Sequence, residues 1–100
     1  MINVTNTFVR PSTAVPFYTV TEEWRTYSIA TYGNTGDRVS INFEWTNDKL
    51  TFRLVTVWKD RATFDRYQND PVTIQKYLNP RQAYNQENGI VSSGAVFAEV

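Results

Sequence analysis

The side chains able to do chemistry in this chain are few and mostly aromatic. None of its 100 residues is Cys or His. Without Cys there is no thiol nucleophile, disulfide or zinc–thiolate site. Without His the commonest general base, metal ligand and haem ligand are missing. What remains is three Trp, six Tyr and six Phe, 15% of the chain, with scattered amides and arginines. Tyrosines converging on one cavity can bind a flat aromatic compound or supply a proton donor. Tyr27, Tyr67 and Tyr77 are the candidates, although at helical spacing tyrosines also serve as core residues with their hydroxyls at the edge. Asn6 is the one polar residue among Ile2, Val4 and Phe8, so its amide could hold a carbonyl or an oxyanion. Trp58 closes an apolar run and could stack on a ring. Of the arginines, Arg53, Arg61, Arg66 and Arg81 could anchor an anionic substrate. Arg61 and Arg66 alternate with Asp60 and Asp65 and read as a solvated helix face with local ion pairs.

These residues need elements to position them. Residues 2–10 predict a strand ended by Pro11, which has no N–H to offer a ladder. Residues 12–20 read as a connection with room for a helical turn near Pro16. Thr21 followed by Glu22 and Glu23 is a helix start, a capping hydroxyl with acidic residues at the positive end of the dipole. That helix is expected to run to Tyr32 and stop at Gly33. Val39, Ile41, Phe43 and Trp45 alternate with polar residues, and Leu50, Phe52, Leu54, Thr56 and Trp58 do the same after the turn residues 46–49. Residues 38–45 and 50–58 therefore predict an antiparallel hairpin. Asp60, Asp70-Pro71 and Asn79-Pro80 each mark a helix start, so 61–88 reads as two or three helical pieces ended by Gly89. Residues 90–100 predict a last strand with small residues near its middle.

The bounds on function are broad. Ten basic and ten acidic residues give zero net charge, which argues against a general nucleic-acid binder. One domain spanning 1–100 fits the length. No apolar run approaches the ~18 residues of a membrane span. The first residues lack the pattern of a secretory signal, so a soluble, cytoplasmic protein is the expectation. No residue cluster calls for a metal or other cofactor.

The order β-α-β-β-α-β is the ferredoxin-like α+β pattern, an antiparallel sheet with helices on one face. The third strand also carries apolar residues on its other side, Val55 and Val57, with Val9 joining from the first strand. A sheet with two apolar faces needs two coverings. The simplest second covering is the same face of another copy, with Val9, Arg53, Val55 and Val57 at the interface.

The stretch Leu54-Val55-Thr56-Val57-Trp58-Lys59-Asp60-Arg61-Ala62-Thr63-Phe64 resembles the strand-to-helix junction of the dimeric α/β-barrel superfamily, which includes antibiotic-biosynthesis-monooxygenase-like domains. The shared features are an apolar strand ending in Trp, a polar pair, and a helix with Phe six residues after the Trp. The resemblance implies a homodimer with sheets face to face and a pocket between sheet and helices in each subunit. Some members are oxygenases without a conventional cofactor, and others degrade haem using an Asn in the first strand, a Trp ending the third, and a His on the next helix. Asn6 and Trp58 match the first two. Tyr67 and Gln68 stand where the His is expected, which argues against haem.

Two functions follow as expectations. One is a dimeric small-molecule binding or interaction module with an aromatic-lined pocket, bordered by Asn6, Trp58 and Tyr67 with Tyr27 and Tyr77 beside them, in which a small aromatic compound is one candidate ligand. The alternative is a cofactor-independent monooxygenase-like enzyme acting on an aromatic or polyketide-like compound.

Overall fold

The structure, a computed structural model, describes residues 1–100. One antiparallel sheet contains β1 (Ile2–Val9), β2 (Arg38–Trp45), β3 (Thr51–Trp58), β4 (Val91–Ser92) and β5 (Val96–Glu99). The strands lie in the order β2-β3-β1-β4, with β5 also pairing with β1. Helices occupy one face. They are α1 (Glu22–Ser28) running into a π-helical turn (Ile29–Gly33), α2 (Arg61–Asn69), and a continuous rod of α3 (Pro71–Thr73), a second π turn (Ile74–Leu78) and α4 (Asn79–Glu87). This is the expected ferredoxin-like α+β architecture.

The register assigns each side chain to a face, because directly paired residues point the same way. Ile2, Val4, Asn6 and Phe8 pair with Trp58, Thr56, Leu54 and Phe52, and these form the helix-facing side. Asn3, Thr5, Thr7 and Val9 pair with Val57, Val55, Arg53 and Thr51 on the other. The core lies under the helices, where Ile2, Val4, Trp24, Tyr32, Trp58, Phe64, Tyr67 and Tyr77 form one buried cluster. Its aromatic rings touch edge to face, tilted or stacked; Trp24 and Tyr77 are nearly parallel at 5.2 Å. Such pairs add to plain area burial through their quadrupoles.

The local start signals act as their residue types dictate. Thr21 accepts a hydrogen bond from the Trp24 N–H, Asp60 from that of Thr63, and Asp70 from that of Val72. Gly89, at φ +68°, ends α4. The turn between β2 and β3 closes through the Asp48 carboxylate, which accepts from the Thr46 hydroxyl and the Leu50 N–H.

Four local expectations need correction. Gly33 is not a left-handed stop; the chain first widens, with Asn34 N–H reaching Ile29 C=O at 2.7 Å, and the left-handed residue is Gly36. Asn79-Pro80 starts no new helix, since Asn79 is helical with φ −66° and ψ −47°. Pro80 has no N–H for the preceding turn; the π turn beside it, in which the Asn79 N–H bonds Ile74 C=O, fits a helix relaxing around that gap. The last strand is broken. Its pairing with β1 advances by one residue between Val9↔Val91, Phe8↔Ser92 and Thr5↔Val96, so the small residues Gly94 and Ala95 share the place opposite Asn6 as a bulge. Residues 16–20 form no helical turn. They run as a strap held by Tyr84, whose hydroxyl donates to Pro16 C=O at 2.5 Å, and by Phe17 packed on Trp45 and Phe52.

Candidate functional site

Between the helix-facing side of the sheet and the helices lies a cavity of about 550 Å³ bordered by 24 residues, 15 of them hydrophobic. Its floor is Asn6 and Phe8 of β1 with Phe52, Leu54, Thr56 and Trp58 of β3. Trp24 and Ser28 of α1, Phe64, Tyr67 and Gln68 of α2, and Tyr77, Leu78, Arg81 and Asn85 of the long rod form its roof. Both π turns border it, through Ile29 and through Tyr77 with Leu78. Such turns are frequent at functional sites. The apolar wall is most exposed at Ile29, Ile41 and Phe43, the last 60% accessible. The mouth therefore opens between α1 and β2, an edge strand of the sheet, with the strap 17–20 along its rim.

Four of the five residues singled out in the sequence border this cavity: Asn6, Trp58, Tyr67 and Tyr77. Trp58 is not an open stacking platform. It is 1% accessible, its indole N–H donates to the Thr56 hydroxyl at 2.8 Å, and Tyr32, Phe64 and Tyr67 crowd its ring. It is a rigid part of the floor. Tyr27 is outside the cavity lining, a correction to the expectation. Its hydroxyl donates to the Asp70 carboxylate at 2.5 Å, as the Tyr32 hydroxyl does at 2.7 Å. An amphipathic helix presents one face inward, and Trp24 and Ser28 occupy it here. Tyr27 is left to tie α1 to the start of α3.

The pKa shifts have plain causes. Asp70 lies below the ordinary carboxylate range: burial alone would raise it, and the hydrogen bonds from Tyr27, Tyr32 and nearby backbone N–H groups outweigh that. The same contact raises Tyr27, whereas Tyr32 is raised first by burial and then by Asp70. Burial likewise pushes the Tyr67 hydroxyl up, so at neutral pH it is a donor and not a phenolate. That hydroxyl makes no hydrogen bond within the chain, although Tyr67 is 92% buried. The side-chain amides of Asn6 and Asn85 also lack a partner in the chain while bordering the cavity. Among side-chain polar atoms fully closed off from water, the Thr73 hydroxyl is the one without a partner; Asn6, Tyr67 and Asn85 are not closed off in that way and are left for a ligand or water in the cavity to satisfy.

Arg38 was invisible to the alternation rule. Strict alternation from Ile41 and Phe43 would send residue 38 to the opposite face. The ladder instead slips between Arg38↔Trp58 and Ser40↔Val57, and this bulge at Val39 turns Arg38 into the cavity. Its guanidinium donates to the Ser28 hydroxyl at 2.6 Å. Burial lowers its pKa, with Tyr67 and Tyr77 acting in the opposite sense; an arginine stays charged regardless. Arg81, by contrast, is one of the arginines that the sequence offers as an anion anchor. It donates to the Tyr77 hydroxyl at 2.6 Å and lies over the Phe8 and Tyr77 rings. The other three lie elsewhere. Arg53 is on the far face of the sheet, Arg61 pairs with Asp65 and covers Phe97, and Arg66 pairs with Asp37.

No family model matches the sequence, and no curated protein matches it. Solved structures do. A candidate antibiotic biosynthesis monooxygenase from Deinococcus radiodurans superposes with a TM-score of 0.63 at 9% identity, over 100% of this chain and 92% of its own. SnoaB, a cofactor-independent oxygenase from Streptomyces nogalater, gives 0.64 at 15% identity, over 99% and 91%. A dimeric ferredoxin-like protein from an uncultured marine organism gives 0.60 at 10% identity, over 99% and 94%. The chain is similar to these proteins in fold, along its whole length. No helix is long and apolar enough to cross a membrane.

Proposed function

We propose that this chain binds a small aromatic compound between its sheet and its helices, and that it does so as a homodimer. The observation that carries the first part is the cavity itself. Its volume of about 550 Å³ falls within the roughly 300–1,000 Å³ of small-molecule pockets. Its walls are aromatic, and the Asn6, Tyr67 and Asn85 groups are unpaired within it. A close-packed interior does not keep such a space without cause. Trp24 and Trp58 both border it, so ligand entry should quench their fluorescence. A panel of two- and three-ring aromatics should quench saturably, and aliphatic compounds of equal size should not. Leu54→Trp, which fills the floor without adding charge, should abolish the quenching by ligand. Equal response to both panels would reject the reading.

The second part rests on the far face of the sheet. Val55 and Val57 of β3, Val9 of β1, Val91 of β4, and Val96 and Ala98 of β5 share it by register. Asn3, Thr5 and Thr7 form a polar strip between them. The face is more mixed than β3 alone implies, yet Val9 and Val96 are 41% and 64% exposed. A second copy laid face to face would cover these valines, with Arg53 at the rim. Dimeric organisation in the marine ferredoxin-like protein supports this pairing.

Cofactor-independent oxygenation of the bound compound is a second reading. It is favoured by the end-to-end superposition on SnoaB, a cofactor-independent oxygenase. An oxygen electrode decides between binding and turnover. Uptake of O₂ that requires protein and bound ligand together, and falls with Asn6→Ala, would establish an enzyme. Saturable binding without uptake leaves a binding module.

A further inference from the structure

The cavity carries a charge pattern that narrows its ligand. Its lining contains no Asp or Glu, but it does contain three arginines. Arg25, exposed on α1, faces the Glu22 carboxylate at 3.8 Å; the other two are Arg38 and Arg81. Neither takes part in an ion pair. Arg38 has the neutral Ser28 hydroxyl as its side-chain partner, and Arg81 has the Tyr77 hydroxyl and two ring faces. Cations partly withdrawn from water normally gain a carboxylate. Here each has donors to spare, since a guanidinium offers five N–H groups.

The two arginines are not independent features of the wall. Both act electrostatically on the Tyr67 hydroxyl, the same group that lacks a hydrogen-bond partner. The polar part of the cavity thus includes two arginines without a carboxylate partner and a hydroxyl donor, set among aromatic rings. A neutral ligand would leave both charges without an anionic partner in a site partly withdrawn from water. Resting on the binding reading above, we infer that the ligand is a flat aromatic molecule bearing an anionic oxygen group, a carboxylate or an acidic enol. The geometry points to Arg38, Arg81 and Tyr67 as the groups that receive the anion. The rings line the rest of the space and receive the aromatic body.

The test compares 2-naphthoate with 2-naphthalenemethanol, probes of matched ring size that differ in charge, by tryptophan quenching of the full chain. A charge-assisted hydrogen bond implies that the anion binds about ten- to hundredfold more tightly. The preference should shrink as salt is raised. Arg38→Met and Arg81→Met, which keep an apolar stem of similar length, should each remove about tenfold or more of the affinity for the anion. Both should weaken the neutral probe far less than the anion, and retained binding of the neutral probe shows that the cavity of the variant is intact. Equal affinity of the unmodified protein for the two probes overturns the inference and leaves the binding reading standing. A preference for the anion that survives in both variants overturns the assignment to these arginines. Absence of binding by either probe overturns the inference and the binding reading together.

Discussion

Replacing Asp70 with Ala should be among the most damaging single changes available outside the hydrophobic core. One carboxylate oxygen accepts from Tyr27 at 2.5 Å and Tyr32 at 2.7 Å, and the other caps α3 through the Val72 N–H at 2.9 Å. Loss of the cap costs about 1 kcal/mol. Tyr32 is 2% accessible, so its stranded hydroxyl costs a further ~1–3 kcal/mol. Tyr27 is half-buried, and water can replace its partner at a cost of about 0.5–1.5 kcal/mol. The sum is about 2.5–5.5 kcal/mol, against a total stability of roughly 5–15 kcal/mol for a domain of this kind. Asp70→Asn has one acceptor where the carboxylate has two, so it can serve the tyrosines or the cap, and should cost about half as much. Urea unfolding at pH 7, followed by far-ultraviolet circular dichroism, measures both. The pH dependence has a definite sign. The folded-state pKa of Asp70 is depressed, so its contribution is complete above the unfolded value of about 3.9 and is lost as pH falls through the lower folded value. The unmodified protein and Asp70→Asn should therefore converge in stability in acid. An Asp70→Ala protein within 1 kcal/mol of the unmodified chain, or a gap to Asp70→Asn that does not narrow in acid, would refute the account of this cluster.

Three further outcomes follow from other parts of the structure. Trp58→Phe loses the indole hydrogen bond to Thr56 and part of a fully buried ring, and should lower stability by about 2 kcal/mol in the same urea assay. Gly89→Ala should cost about 1 kcal/mol. The strain there is in the backbone at φ +68°, since an added Cβ would meet only Pro11 Cγ at 3.6 Å; Gly94→Ala, with nothing near its Cβ, should be far milder. The double change Val55→Asp, Val57→Asp should convert a sedimenting species of twice the 11.6 kDa chain mass into monomer by burying unpaired charge at the interface. An unmodified chain that sediments as a monomer at micromolar concentration would reject the dimer.

Much of the framework is legible in local sequence because it rests on interactions between near neighbours. Alternation at 39–45 and 50–58 gives the hairpin. Thr21, Asp60 and Asp70 cap helices through N–H groups two or three residues away, a distance a motif can encode. Asn6 and Trp58 could be placed at the cavity because regular strands fix the side each residue faces. Arg38 could not, because its direction depends on a slip in pairing with β3, a strand more than a dozen residues on. The same holds for the bulge at Gly94 and Ala95 and for the π turns, where alternation and helical period are locally suspended. Tyr27 and Tyr67 look equivalent as helical tyrosines. One is turned to Asp70 and the other to the cavity by the way α1 and α2 settle on the sheet. The cavity lies further still from what a linear pattern can carry. It is the space that strands and helices leave between them, and the two arginines and the hydroxyl acquire meaning only when brought together from three separate elements.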